Sequence, residues 1–360
     1  MDDLVVLRGS GFLIVVAIVL IAVAAIALWG LAGGPLAAQV AFDLTLFIAV
    51  VLGYNLFAGT TGYLSFGHGM LYALGGYLGI LAANAMASAG WLAGIVAIPV
   101  AGLATAMLAI AFMGPLMRVK GPYFAVASLA LFLAAGSLVS VVPGLGGSVG
   151  LTAVPGVGLN TVTALVAALV LALLGIAGSV LVSKTLFGRR VLAIRDSEEA
   201  AASLGLNPAL YRAAMLAASG FIVGAAGATY FLSYGGRGYV DPELAFDPRY
   251  NTLMVLAAIA GGLGSFTGVV TGAILVKLLD NFLAMYSPEI VAALGFNPSE
   301  APLLVTITPY IVLGSLVALI AIAAPRGIYG LLEGVIERRF AKLVGKATEI
   351  VETQRGKEAG

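Results

Sequence analysis

The sequence predicts an all-α, polytopic membrane protein, and three observations predict it. Hydrophobic residues fill 61% of the 360 positions and charged residues only 10%, against roughly 25% charged in a soluble domain. The apolar residues fall in runs of about 20, the length that crosses a bilayer as a helix. The 48 glycines are about twice the usual share of ~7%. Small residues let membrane helices approach closely where lipid supplies no hydrophobic drive for packing.

The spans follow in order. The first, near 11–33, is longer than the roughly 7 to 15 residues of a signal-peptide core and is read as a retained span behind Arg8. Spans near 38–58 and 64–84 are divided by a Gly-rich stretch, and those near 91–115 and 122–142 by Arg118 and Lys120. The sixth, near 159–183, stops at Lys184, and the seventh, 212–234, opens at Arg212. Spans near 250–268 and 269–286 meet at a second Gly-rich stretch, and the last, 303–325, follows a loop carrying Glu289 and Glu300. Ten crossings is the working number, within a range of eight to eleven, because a Gly-rich boundary is compatible with a surface turn or with a broken, re-entrant helix.

Orientation follows from lysine and arginine, which mark cytoplasmic loops. With both termini inside, Arg8, Arg118, Lys120, Lys184, Arg189, Arg190, Arg195, Arg212 and the tail with Arg338, Arg339, Lys342 and Lys346 share one side. The outer side keeps Arg237 and Arg249 beside Asp241, Glu243 and Asp247. The chain therefore divides into a transmembrane domain, 1–325, with a cytoplasmic loop at 184–211, and a cytoplasmic tail, 326–360. Within the tail, Gly330 to Lys346 fits an amphipathic surface helix.

Composition removes several functions. A net charge of +1 with no basic stripe excludes nucleic-acid binding. Without cysteine, and with a single histidine, thiol chemistry and the usual metal sites are not expected. No GxxxxGK[ST] loop and no HExxH motif occurs, so the chain is not expected to be an enzyme, and ATP-driven transport would place the nucleotide on another chain.

The polar interruption from Lys184 to Arg212 carries the functional signal. Asp196 is placed to N-cap a short helix, with Glu199 reaching back from the third helical position. That helix runs through Ala200, Ala201, Ala202 and Ser203, and Gly205 supplies its left-handed end. Asn207 and Pro208 then suit the N-cap and first position of the next span. Small alanines on such a helix permit close approach by a partner; a solvated connector is the alternative reading. Three charges lie inside spans. Lys277 and Asp280, at i and i+3, are expected to pair with each other or to serve a solute path, and Asp43 lies near the outer end of its span. His68 is either a hydrogen-bonded interior group or a pH-sensing one. Asn55 and Ser65 either satisfy backbone groups freed by the nearby glycines or line a path.

Glu199-Ala200-Ala201 followed by Gly205 resembles the EAA loop of ABC importer permeases, and GRRVLAIRDSEEAAASLGLN is similar to the corresponding loop of the branched-chain amino acid permease family, LivM-type subunit. Met215, Leu216 and Ala217 stand where the general motif continues Ile-x-Leu-Pro. The resemblance extends from about residue 40 to 335: Asn55–Gly59 with Gly62–Gly69, Gly146-Gly147-Ser148-Val149-Gly150-Leu151, Gly261–Gly268, and Arg326-Gly327 through Glu333. It implies an ABC importer permease fold and a coupling loop at Asp196, Glu199, Ala200, Ala201 and Gly205. It also implies a binding-protein contact at Gly146, Gly147 and Ser148. The expected partners are a second homologous permease, two ABC ATPases that hold ATP and magnesium, and an outer solute-binding protein, in the inner membrane of a prokaryote. Branched-chain aliphatic amino acids are the implied solutes, with urea, short amides or other small solutes as the alternative. A stand-alone secondary transporter is the rival from another class.

Overall fold

Among the described residues, seven helices begin where a short polar side chain takes up a free backbone N–H, as N-caps do, while four others each follow a glycine. Asn160, Thr185, Ser197, Asn207, Asp241, Asp247 and Ser265 each accept such a bond at a helix start. The computed structural model describes residues 10–119, 121–233, 238–323 and Gly327. Within them the helices are α1 (Ser10–Ala32), α2 (Gly34–Thr61), α3 (His68–Ala85), α4 (Trp91–Leu108), α5 (Pro122–Val141), α6 (Thr161–Lys184), α7 (Leu186–Asp196), α8 (Glu198–Ser203), α9 (Pro208–Leu232), α10 (Pro242–Ala245), α11 (Pro248–Gly261), α12 (Phe266–Ala293) and α13 (Pro302–Ala323). The ten expected spans correspond to α1 to α6, α9 and α11 to α13. The tail from 328 to 360, with its RG..GLLE ending and expected surface helix, and the residues Arg8, Lys120, Arg237 and Arg326 lie outside the described residues.

Among the described residues, six helices are long and apolar enough to cross a membrane: α2, α4 with its extension to Arg118, α5, α6, α9 and α12. The fourteen residues of α11 reach about 21 Å at 1.5 Å per residue, short of the ~30 Å hydrocarbon core. The expected boundary between the eighth and ninth spans therefore moves: α11 stops at Gly261 and α12 starts at Phe266.

A helix that is apolar all round is a core helix, and α2 is one. Every residue from Leu44 to Thr61 is buried, enclosed by α1, α6, α9, α11 and α12. Against this axis α3, α4 and α9 pack on one another, and α13 packs outside α11 and α12. The outward faces of α4 and α5, with Met107, Tyr123 and Val126 exposed, are apolar, as lipid contact requires.

The two ends of the bundle differ. One carries α7, α8 and most of the basic residues. At the other, a two-stranded antiparallel sheet joins β1 (Leu151–Thr152) to β2 (Tyr239–Val240), a small departure from an all-α expectation. Asn84 ties this sheet to α3, donating to the Thr152 carbonyl at 2.9 Å and accepting from the Val154 N–H at 2.8 Å.

Candidate functional site

The polar stretch after α6 folds as two helices rather than one. Gly188 lets α7 turn back beneath α6, since a Cβ there would strike the Val182 carbonyl. Helix α7 continues through Asp196, so the expected N-cap is corrected: Ser197, extended at φ −155°, accepts from the Ala200 N–H at 3.3 Å. Asp196 is consumed as the last residue of α7, and Glu199 moves to the second helical position of α8. The end of α8 is as expected. Gly205 is left-handed at φ +81°, with Gly205 N–H bonded to Ala202 O and Leu206 N–H to Ala201 O, the paired bonds of a Schellman end. Asn207 then caps α9 through the Ala209 and Leu210 N–H groups.

Two faces of α8 result. Ala201 is buried, while Glu199, Ala200 and Gly205 are exposed, and Leu204 is 84% exposed. The inward carboxylate is Glu198, whose Oε1 accepts from Arg212 Nη1 at 3.0 Å. The Arg212 guanidinium, buried at the start of α9, also lies 4.7 Å from the Tyr63 ring centre. Tyr63 belongs to the Gly-rich break between α2 and α3 and donates to the Met117 carbonyl at 3.4 Å. The platform is thus tied to α9, to the first break and to the end of α4.

Helix α7 makes a second tie. Arg195 Nη1 donates to the Gly59 carbonyl at 2.6 Å, and the side chain also packs on Gly62 and Gly264, both left-handed glycines. Asn55 Oδ1 accepts from the Gly264 N–H at 2.9 Å, so the breaks after α2 and after α11 meet under one guanidinium. A small crevice lined by Asn55, Thr60, Ser179, Ser183, Leu192 and Gly264 lies beside it. Arg195→Ala is expected to free the Gly59 carbonyl and cost about 1 kcal/mol, lowering the thermal midpoint in detergent by roughly 2 °C. An unchanged midpoint would mean that the bond contributes nothing.

The first break is closed internally. His68 is fully buried, with Nδ1 2.8 Å from Ser65 Oγ and Nε2 2.9 Å from Ser219 Oγ, and Tyr54 and Phe57 cover its ring. Ser65 also accepts from the Gly67 N–H. Asn251 on α11 bridges back, accepting from the Gly69 N–H at 3.0 Å and donating to the Phe66 carbonyl at 2.8 Å. Asn55, Ser65 and His68 therefore sit as hydrogen-bonded interior groups: Asn55 joins the two breaks, and Ser65 and His68 tie the first break to α9.

The expected Lys277–Asp280 pair is corrected. Asp280 accepts instead from Arg249 Nη2, on the first turn of α11, because α12 turns that carboxylate toward α11. Lys277 Nζ lies 5.9 Å from the Phe47 ring centre. At the opposite end, Gly146, Gly147 and Ser148 form tight turns after α5, with Gly146 left-handed at φ +79° and Val149 75% exposed. They are remote from α7 and α8. Among the described residues no group of three or more His, Cys, Asp or Glu is placed to hold a metal.

Sequence reasoning did not single out Arg195, Glu198, Asn251 or Ser219. Arg212 stands at the threshold of an apolar span, where a buried guanidinium needs a carboxylate, but nothing local distinguishes Glu198 from Glu199 as its partner.

Comparison with known proteins agrees with this architecture. Residues 36–319 match the family described as branched-chain amino acid transport system / permease component. The chain is similar to the xylose transport system permease protein XylH of Haemophilus influenzae, 36% identical over 118 residues covering 32% of each chain. It is also similar to the high-affinity branched-chain amino acid transport system permease protein LivM of Salmonella typhimurium, 25% identical over 284 residues. That alignment takes in 69% of this chain and 64% of the relative, and the LivM of Escherichia coli aligns to the same extent. The chain thus spans about a third of the xylose permease's length and under two thirds of LivM's. No solved structure matches.

Proposed function

The chain belongs to the branched-chain amino acid transport system permease family, across residues 36–319, and from that premise we propose that it is the membrane-spanning subunit of an ATP-driven importer for branched-chain amino acids. The observation that carries this reading is the α7–α8 platform. Its outer face offers Glu199, Ala200 and the exposed Leu204. Its inner face is bonded through Glu198 to α9 and through Arg195 to the Gly59 carbonyl at the first helix break, and Arg195 also packs on Gly264 of the second. A stiff, capped element with a free outer face and a bonded inner face is suited to pass a displacement from a soluble partner to the spans. The basic end then lies in the cytoplasm, where two ATPase subunits supply ATP and magnesium. A second permease completes the path, and a solute-binding protein docks at the other end, near Gly146 to Ser148. A prokaryotic inner membrane is the setting such an assembly implies.

Sugar import is the second reading, favoured by the similarity to xylose permeases over 118 residues. Affinity purification of the tagged chain from its native membrane in mild detergent, with mass spectrometry of what accompanies it, tests the assembly. Recovery of two P-loop ATPases and a second permease is the expected result. A lone chain, under conditions that preserve other transporter complexes, together with nucleotide-independent uptake by that chain in liposomes, would replace the reading with a secondary transporter.

A further inference from the structure

Two opposite charges are held inside the bundle without touching. Asp43 on α2 and Lys277 on α12 lie well within their helices and attract one another. Neither makes an ion pair or hydrogen bond among the described residues. The nearby carboxylate that would satisfy Lys277, Asp280, is already taken by Arg249. Both Asp43 and Lys277 are partly exposed, and a charge within a span is too costly to face hydrocarbon, so each side chain faces water or another polypeptide.

Aromatic rings lie beside these two charges. Tyr72 of α3 stacks on Tyr250 of α11, ring centres 4.4 Å apart, and lies 6.1 Å from Tyr230 of α9. Phe47 meets Tyr250 edge-on at 5.8 Å. All three tyrosine hydroxyls are within electrostatic reach of Asp43. The Tyr72 side chain is 4% exposed, and its hydroxyl makes no well-formed hydrogen bond although Tyr250 is close by. A carboxylate, an ammonium, aromatic faces and an unused buried hydroxyl therefore converge from four helices and α12.

We propose that Asp43, Lys277 and Tyr72, walled by Phe47, Tyr230 and Tyr250, form a transit site for a small zwitterion, an α-amino acid in passage. Its ammonium takes the Asp43 carboxylate and the tyrosine faces, which attract cations. Its carboxylate takes the Lys277 ammonium, with the Tyr72 hydroxyl as a further donor. A zwitterion matches both charges and leaves the site neutral. An uncharged sugar would leave both unmatched, and a simple cation would leave Lys277 without a partner. The site rests on the importer reading above and adds to it the groups that touch the solute.

The test uses the whole transporter, reconstituted in liposomes with its binding protein and ATP, and follows uptake of radiolabelled L-leucine and D-xylose. The wild-type complex is expected to take up leucine, and Asp43→Asn or Lys277→Met to lower that uptake about tenfold or more, the scale of a lost charge-assisted bond. Lys277→Arg should retain most of it. Co-elution with the ATPase subunits checks that each variant assembles. If a charge variant fails to assemble, Tyr72→Phe, which removes one hydroxyl, is expected to lower leucine uptake several-fold. Leucine uptake within about twofold of wild type in assembled Lys277→Met or Tyr72→Phe complexes would overturn the site while leaving the importer reading intact. A wild-type complex that takes up xylose and not leucine would overturn the amino-acid reading and the site together.

Discussion

Gly75→Leu is expected to prevent the bundle from assembling. Helices α3 and α9 approach closely through small residues: Gly75 lies against Gly224, Gly79 against Ala228 and Gly227 against Tyr72, while Gly76 makes room for the Phe231 ring. A Cβ on Gly75 would be driven into the Gly224 carbonyl, and one on Gly227 into the Tyr72 carbonyl. A carbonyl cannot rotate away as a side chain can, so relief requires the helices to separate, and the van der Waals packing that holds membrane helices together is lost. The cost should exceed the ~3 kcal/mol at the upper end of ordinary overpacking. Yield in the membrane fraction and monodispersity in detergent measure it. Gly314→Ala on α13, where a Cβ would meet nothing within 4 Å, is the matched control. It should be neutral or stabilising by up to about 1 kcal/mol, the helix cost of glycine relative to alanine. A monodisperse Gly75→Leu chain with a native thermal midpoint would disprove the close α3–α9 contact.

The second large effect separates two adjacent glutamates. Glu198→Ala removes the carboxylate from Arg212, whose side chain is 9% exposed and whose Nε already lacks a partner. The buried guanidinium would retain only the Tyr63 ring. Breaking a fully buried pair costs about 3–5 kcal/mol. Because the Glu198 side chain is 30% exposed, roughly 2 kcal/mol is expected here, with a lower thermal midpoint and slower transport together. Glu199→Arg changes an exposed side chain and should leave the midpoint in place while abolishing transport, if its face docks on the ATPase. Gly205→Val, at a left-handed position surrounded by open space, should distort the end of α8 for about 1 kcal/mol and uncouple in the same way. Equal midpoints for Glu198→Ala and Glu199→Arg would remove the distinction between the inner and outer faces of α8.

The division of labour between these glutamates depends on contacts that no local stretch of the chain encodes. Helix positions were legible because an apolar run of about 20 residues is a local property, and the Gly205 and Asn207 ends of the platform because capping depends on neighbouring residues. The same local logic makes Asp196 a cap. Helix α7 instead runs through it, because Val191 and Ile194 are buried against the bundle and hold that helix together one residue longer. That preference is not written in the capping box. Lys277 and Asp280 have spacing that favours a pair, yet Arg249, 31 residues away from Asp280 in sequence, provides the bond.

By itself the sequence determined a polytopic helical chain, the approximate limits of its ten principal helices, the position of the polar platform and the dependence on glycine for close packing. Each of these rests on composition or on interactions within a few residues. The tertiary structure alone decided which distant groups satisfy the breaks in the helices: Arg195 on Gly59, 136 residues apart, and Asn251 on Phe66, 185 apart. It also decided that Glu198 faces inward and that Asp43 and Lys277 attract one another without an ion pair among the described residues. The physical reason is that a buried polar group in an apolar bundle takes whichever partner the packing brings within hydrogen-bond distance, and packing joins helices that are far apart along the chain.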